Sequence, residues 1–284
     1  MKPFPIPVSA LGPGSQQSEE NLDYMVMPSG MAIYVAPILP EPEDMAACVE
    51  ARKAIAWLNQ VLQQYKADAT GVYGYDLVGM DAANMTLLNQ ILGEGEVSAL
   101  VSGDVVCRIQ ESIFAGVWRI LLEQDGVVIR DAIEVCPIPP MLMETNKDGH
   151  VEMQIPSTFA PGVINAPSVL AEIAAHLKTY QAGDRAHIIN LTLLPWSPDD
   201  NQCLEEVLGP EDITILSRGY GNCRITSTRV PNVWHVRFYN SQDVMILDTV
   251  EITSIPEVAL AAREDFEDSG ERVAEVLGWM EQEA

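Results

Sequence analysis

The residues best suited to chemistry are few and widely spaced. The five cysteines, Cys48, Cys107, Cys136, Cys203 and Cys223, are odd in number, and no two share a C-x-x-C spacing. That excludes a disulfide scaffold and a zinc-finger pattern, and free, buried thiols are the expectation. None of the four histidines, His150, His176, His187 and His235, falls in H-E-x-x-H or close to a cysteine in a ligand pattern. His176 falls mid-helix and His235 mid-strand, where a surface or core role is expected. There is no G-x-S-x-G, and Gly219-Tyr220-Gly221 lacks the later Gly and the Lys of a nucleotide loop. The residue pattern points away from an enzyme and calls for no cofactor.

One loop stands out. Ser217-Arg218-Gly219-Tyr220-Gly221-Asn222-Cys223-Arg224 carries two glycines, which permit unusual backbone angles. It also carries Arg and Asn side chains that can hydrogen-bond an extended backbone or a carboxylate. A tight hairpin turn explains it structurally. Its functional reading is a partner-binding loop built from Arg218, Gly219, Tyr220, Gly221, Asn222 and Arg224.

The elements that position this loop occur twice. Residues 72–118 set under residues 188–234, at a constant offset of 116, give eleven identities in 47 positions. They include Leu92/Leu208, Gly93/Gly209, Gly103/Gly219, Cys107/Cys223, Arg108/Arg224 and Trp118/Trp234. An offset of 117 then matches Asp131/Asp248 and Glu134/Glu251, and an offset of 115 upstream matches Leu62/Leu177 and Tyr65/Tyr180. Two copies are too few for a solenoid, so a pseudo-symmetric pair packed face to face is expected.

Each copy reads as α-β-α followed by a β-meander. The first helix is Met45–Lys66 in copy one and Pro167–Ala182 in copy two, the latter with an apolar stripe near period 3.6. Short strands follow at Val72–Val78 and His187–Leu194. Ser197-Pro198-Asp199-Asp200 combines a favoured cap, a proline suited to the first turn and two acids at the positive end of the dipole. That helix is expected to stop at Gly209, and its counterpart runs from Asp81 to Gly93. Strands Asp212–Ser217, Cys223–Thr228, Val233–Tyr239 and Val244–Ile252 complete copy two, with alternation and turn residues between them. The fold class is therefore α+β, with two tandem pseudo-symmetric repeats. The expected organisation is a proline-rich arm (1–44), repeat unit 1 (45–140), a linker (141–166), repeat unit 2 (167–260) and an acidic tail (261–284). In the tail, Val273, Val276, Leu277 and Met280 share one face of a short helix.

Composition narrows the partners. The chain has 284 residues, 48% of them apolar, and a formal net charge of −25. That charge argues against nucleic acid and against anionic membrane surfaces as partners. No run approaches the ~18–20 apolar residues of a membrane span, and the start lacks the apolar stretch of a secretory signal. A cytoplasmic protein is expected. Residues 1–50 hold one Lys and seven acids, and residues 261–284 two Arg and eight acids, so both ends suit a basic partner segment.

The motifs also carry a family resemblance. The arm KPFPIPV with GPGSQ, the segments Met27-Pro28 and Leu39-Pro40-Glu41-Pro42-Glu43, and the block ILSRGYGNCRITST…NVW…FYNSQDVMILDTVEI…PEVALAA closely resemble the HupH/HyaF family of [NiFe]-hydrogenase expression/formation proteins. The resemblance covers essentially the whole chain and is strongest over residues 188–270. It implies an accessory chaperone that binds the immature iron–sulfur small subunit before twin-arginine export, with other maturation proteins as further partners. It carries over no catalytic residues, because the family has no agreed set. An alternative from the residues is a carrier or protector of an iron–sulfur cluster or metal, with Cys107 and Cys223 meeting across a pseudo-two-fold. A thiol redox enzyme would need an exposed, low-pKa cysteine and a partner cysteine.

Overall fold

The computed structural model describes residues 48–68, 71–148, 153–219 and 221–282. The arm 1–44, His150 and Tyr220 lie outside them. In chain order the elements are α1 (Val49–Asp68), β1 (Tyr73–Asp76), α2 (Ala82–Leu92), β2 (Val97–Val101), β3 (Val105–Glu111), β4 (Val117–Gln124), β5 (Val127–Val135) and α3 (Met141–Asp148). Then come α4 (Ala166–Leu177), β6 (His187–Asn190), α5 (Pro198–Leu208), β7 (Pro210–Ser217), β8 (Asn222–Thr228), β9 (Val233–Tyr239), β10 (Met245–Ile252) and α6 (Arg263–Gln282).

The local signals act as their chemistry requires. Asp81 caps α2 by accepting from the N–H groups of Ala83 and Asn84. Ser197 and Asp200 close a capping box on α5, with Pro198 in the first turn. Both helices end on a glycine in positive φ, +54° at Gly93 and +59° at Gly209, where a side chain is disfavoured. Two expected elements are shorter. The first helix of the second half ends at Leu177 rather than Ala182, and the strand from His187 gives way at Leu191 to a single 3₁₀ turn.

Among the described residues, ten strands form one antiparallel sheet, in the order β1-β5-β4-β3-β2-β7-β8-β9-β10-β6. The first five strands come from residues before 136 and the last five from residues after 186. They meet where β2 pairs with β7, Val97 opposite Ser217 and Val101 opposite Ile213. The two halves therefore join edge to edge, not face to face as expected. Pairing these two strands satisfies both rows of backbone donors and acceptors that each half would otherwise leave open at its edge.

One face of the central strands is apolar. It carries Val97, Ala99, Val101, Ile109, Ile213, Ile215 and Ile225, with Trp118 and Trp234 fully buried among them. The two tryptophans donate through Nε1 to the carbonyls of Cys136 (2.8 Å) and Thr253 (3.1 Å). The cover comes from Ile138 and Leu142 on one side and Ile255 and Ala259 on the other. Residues 141–148 of the expected linker are thus a helix, and Leu142 belongs to the core.

Among the described residues, the opposite face is layered at its two flanks. Over one, α1, α2 and α6 pack on Leu77, Phe114, Val117, Ile133 and Val135. Over the other, α4 and α5 pack on Ile189, Val233, Val250 and Ile252. The expected tail is a twenty-residue helix, and Phe266, Val273, Val276 and Met280 are buried against the first flank. Its carboxylates Glu264, Asp265, Glu267, Asp268, Glu271 and Glu275 are exposed.

Candidate functional site

Strand alternation puts Ser98 and Leu100 of β2, Arg108 and Gln110 of β3, Thr214 and Leu216 of β7, and Arg224 and Thr226 of β8 on the helix-bearing face. Neither helix layer covers them. Leu100 and Leu216 are 42% and 37% exposed, and Arg108 and Arg224 are exposed as well. Their neighbours on the other face, Ala99, Ile109, Ile215 and Ile225, are buried. From β3 to β8 the strip spans three strand spacings, roughly 14 Å, slightly more than the ~10–12 Å diameter of a helix.

Charged pairs mark its two sides. Under α2, Arg119 donates to both carboxylate oxygens of Asp131 (2.5 and 2.6 Å) and to Asn89 Oδ1 (3.0 Å). Under α5, Asp248 lies 2.5 Å from His235 Nε2 and 3.7 Å from Arg237 Nε. Arg237 in turn donates to His235 Nδ1 (3.1 Å) and faces Glu205 of α5 at 3.9 Å. His235 is thus a buried, partnered side chain, as its mid-strand place suggested. At the strip itself, Arg108 pairs with Glu123 at 2.6 Å in an exposed position, where such a pair adds little stability.

The loop singled out by sequence lies at one end of this strip. Arg218, Gly219, Gly221 and Asn222 are all exposed, and Arg224 projects from the next strand. Arg218 N–H donates to the Glu96 carbonyl (3.1 Å), tying the β7–β8 turn to the segment that enters β2. Gly221 has φ +101°, and a side chain at Gly219 would meet the Glu96 carboxylate. The structure thus brings five of the six predicted loop residues together; the sixth, Tyr220, is outside the described residues.

The cysteine pair is not brought together. Cys107 of β3 is opposite Val101, Val101 opposite Ile213, and Cys223 of β8 opposite Ser217. Register therefore separates the two by three strand spacings, about 14 Å, and by four residues along the strands, about 13 Å. Two thiolates so placed cannot share one cluster. Burial pushes the Cys107 thiol up to about 11 and the Cys223 thiol up to about 12. Each therefore stays a protonated, inert thiol at neutral pH. The five cysteines are free and buried, which also opposes a thiol redox enzyme.

Two buried carboxylates are less obvious from sequence. Burial pushes Glu111 up to about 7 against the N–H donors of Gly116 and Val97. Burial also pushes Asp200 up, but the N–H groups of Ala166, Ser197, Ile164 and Asn165 outweigh it and hold the carboxyl down to about 2. Asp200 thereby ties the start of α4 to the start of α5.

Residues 48–153 and 163–280 match the C-terminal conserved region of the HupH hydrogenase expression protein, so the chain belongs to the HupH hydrogenase expression protein family. It is 47% identical over 281 residues to the hydrogenase expression/formation protein HoxQ of Cupriavidus necator, covering 99% of each chain. It is 44% identical to HupH of Rhodobacter capsulatus, covering 96% of this chain and 97% of that one. It is 32% identical to the hydrogenase-1 operon protein HyaF of Escherichia coli, covering 96% of both. A solved structure of HupH from Thiobacillus denitrificans aligns with 40% of this chain and 94% of its own, at 30% identity and a TM-score of 0.36. Among the described residues no helix is long and apolar enough to cross a membrane.

Proposed function

We propose that this protein is a non-catalytic chaperone of [NiFe]-hydrogenase maturation, holding the iron–sulfur small-subunit precursor in the cytoplasm before twin-arginine export. The observation that carries this reading is the open centre of the sheet. Leu100 and Leu216 offer an apolar floor, Arg108 and Arg224 flank it, and the loop from Arg218 to Asn222 closes one end. A floor about as wide as a helix, walled by α2 and α5, suits a protein segment better than a small molecule. The names of the relatives supply the pathway.

The ten strands support a second part of the reading, that the halves are copies of one unit. Read outward from β2 and from β7, the strand order repeats, an edge strand closing on the last strand of each meander. The two segments matched to the family region fall one in each half. Docking at the join then uses a surface that neither copy has alone. The exposed carboxylates of α6 add long-range attraction for a basic leader, raising the association rate and weakening with salt.

Co-purification from cells expressing the hydrogenase operon tests the reading, with precursor either intact or lacking its export signal. Capture of only the intact precursor places the contact on the leader; capture of both places it on the cluster-bearing body. Capture of neither overturns the chaperone reading. Arg218→Glu with Tyr220→Ala is expected to weaken capture while leaving the fold intact.

A further inference from the structure

A second group of side chains, outside the open strip, gathers on α4 and β6 in the second half of the molecule. Glu172 and His176 are one turn apart on α4, so they share a helix face. His187 opens the edge strand β6 and is held in register opposite Ile252 of β10. Its ring stacks on that of His176, with centroids 3.4 Å apart and planes 13° from parallel. His187 Nε2 lies 2.7 Å from Glu172 Oε1. One ligand atom from each of the three lies within 4.8 Å of the other two, and this is the only such His/Cys/Asp/Glu group among the described residues.

We infer that Glu172, His176 and His187 form a binding site for a divalent transition-metal ion of the borderline class, of which Zn²⁺ is the type. Two imidazoles and one carboxylate suit such an ion, whereas Ca²⁺ and Mg²⁺ prefer all-oxygen sites. Metal–nitrogen and metal–oxygen distances of about 2.0–2.2 Å set tetrahedral ligand atoms roughly 3.4 Å apart, so binding opens the 2.7 Å Glu172–His187 hydrogen bond and turns the stacked rings until both point at the ion. Glu172 and His176 are exposed and His187 half-buried, so their side chains have room for that rotation. Three protein ligands leave at least one position for water or for a donor from a bound protein. The shared architecture does not demand these residues. The matching positions in the first half are Trp57, Val61 and Gly71, none of which can ligate a metal through its side chain. The site rests on residues apart from the open strip, so it stands or falls independently of the chaperone reading.

Isothermal titration of the metal-free, untagged full chain with Zn²⁺ tests it, with Co²⁺ absorption as a second readout. The expected result is one equivalent of Zn²⁺ and a visible Co²⁺ band, neither displaced by excess Mg²⁺ or Ca²⁺. His176→Ala and His187→Ala are each expected to weaken binding at least tenfold, and Glu172→Gln to weaken it less. The double histidine variant should lose both signals while keeping the wild-type melting curve. Absence of stoichiometric Zn²⁺ binding at micromolar concentration overturns the inference. So does binding that the double variant retains, because the ion then sits elsewhere.

Discussion

Phe266→Ala decides whether the acidic C-terminal segment is a steering tail or a structural helix. The Phe266 ring is 3% exposed and stacks on Tyr65 with centroids 4.5 Å apart and planes 16° from parallel. It also lies against Gly116, which has φ +77° and where an added Cβ would stand 2.2 Å from the ring. So tight a neighbourhood leaves little room to collapse into the space a truncated side chain vacates. Removing a buried phenylalanine costs about 3–5 kcal/mol, including the loss of the aromatic pair. That is a large share of the ~5–15 kcal/mol that stabilises a typical domain. Urea unfolding should show the loss as a lower midpoint with unchanged slope, and melting should fall by roughly 6–20 °C. Glu275→Gln, exposed on the same helix, is the control and should stay within about 0.5 kcal/mol. A loss below about 1 kcal/mol for Phe266→Ala would refute the packing of α6 in the first half.

Further outcomes follow from the buried carboxylates and the caps. Glu111 holds its proton up to about 7 in the folded chain, against an ordinary value of 4.5. Between those values the folded state binds a proton that the unfolded state has lost, so stability falls as pH rises and levels off above 7. The fall is about 3 kcal/mol, and Glu111→Gln should flatten it in urea titrations at pH 5 and pH 8. Asp200 works in the opposite sense: its stabilisation is complete above about 4 and is lost as pH falls towards 2, and Asp200→Asn should remove that acid limb from a melting series. Ser197→Ala breaks the capping box on α5 and should cost about 0.5–2 kcal/mol by chemical unfolding.

Much of the fold is legible locally. Ser197-Pro198 and Gly209, like Asp81 and Gly93, delimit their helices through side chains and backbone angles within a few residues. The meanders are legible for the same reason, since alternation and turn residues are short-range. The join is not. Val97, Ala99 and Val101, like Ile213 and Ile215, announce a strand with one buried face, but alternation does not say which edge a strand pairs with. Face-to-face packing buries such a surface as well as continuation of the sheet does. The acidic run from Glu264 to Asp268 hides the apolar period that begins at Phe266, so the last helix reads as shorter than it is. The loop from Arg218 to Arg224 is legible because its glycines mark a turn. The strip beside it is not, because Leu100 and Leu216 read as core positions until the gap between the helix layers exposes them. Glu172 and His176 carry an i, i+4 spacing that signals a shared face, but His187 joins them only through the placement of β6 beside α4.

The central claim is that the open middle of the sheet receives the small-subunit precursor. Its most direct test is the affinity of the purified full chain for that precursor, comparing wild type with Leu100→Asp/Leu216→Asp and with Arg218→Glu/Arg224→Glu. All four positions are exposed, so melting curves should remain within a few degrees of wild type. Each double variant is predicted to bind at least tenfold more weakly, a loss of about 1.4 kcal/mol or more. Unchanged affinity in both folded variants would contradict the account and move the contact to another surface.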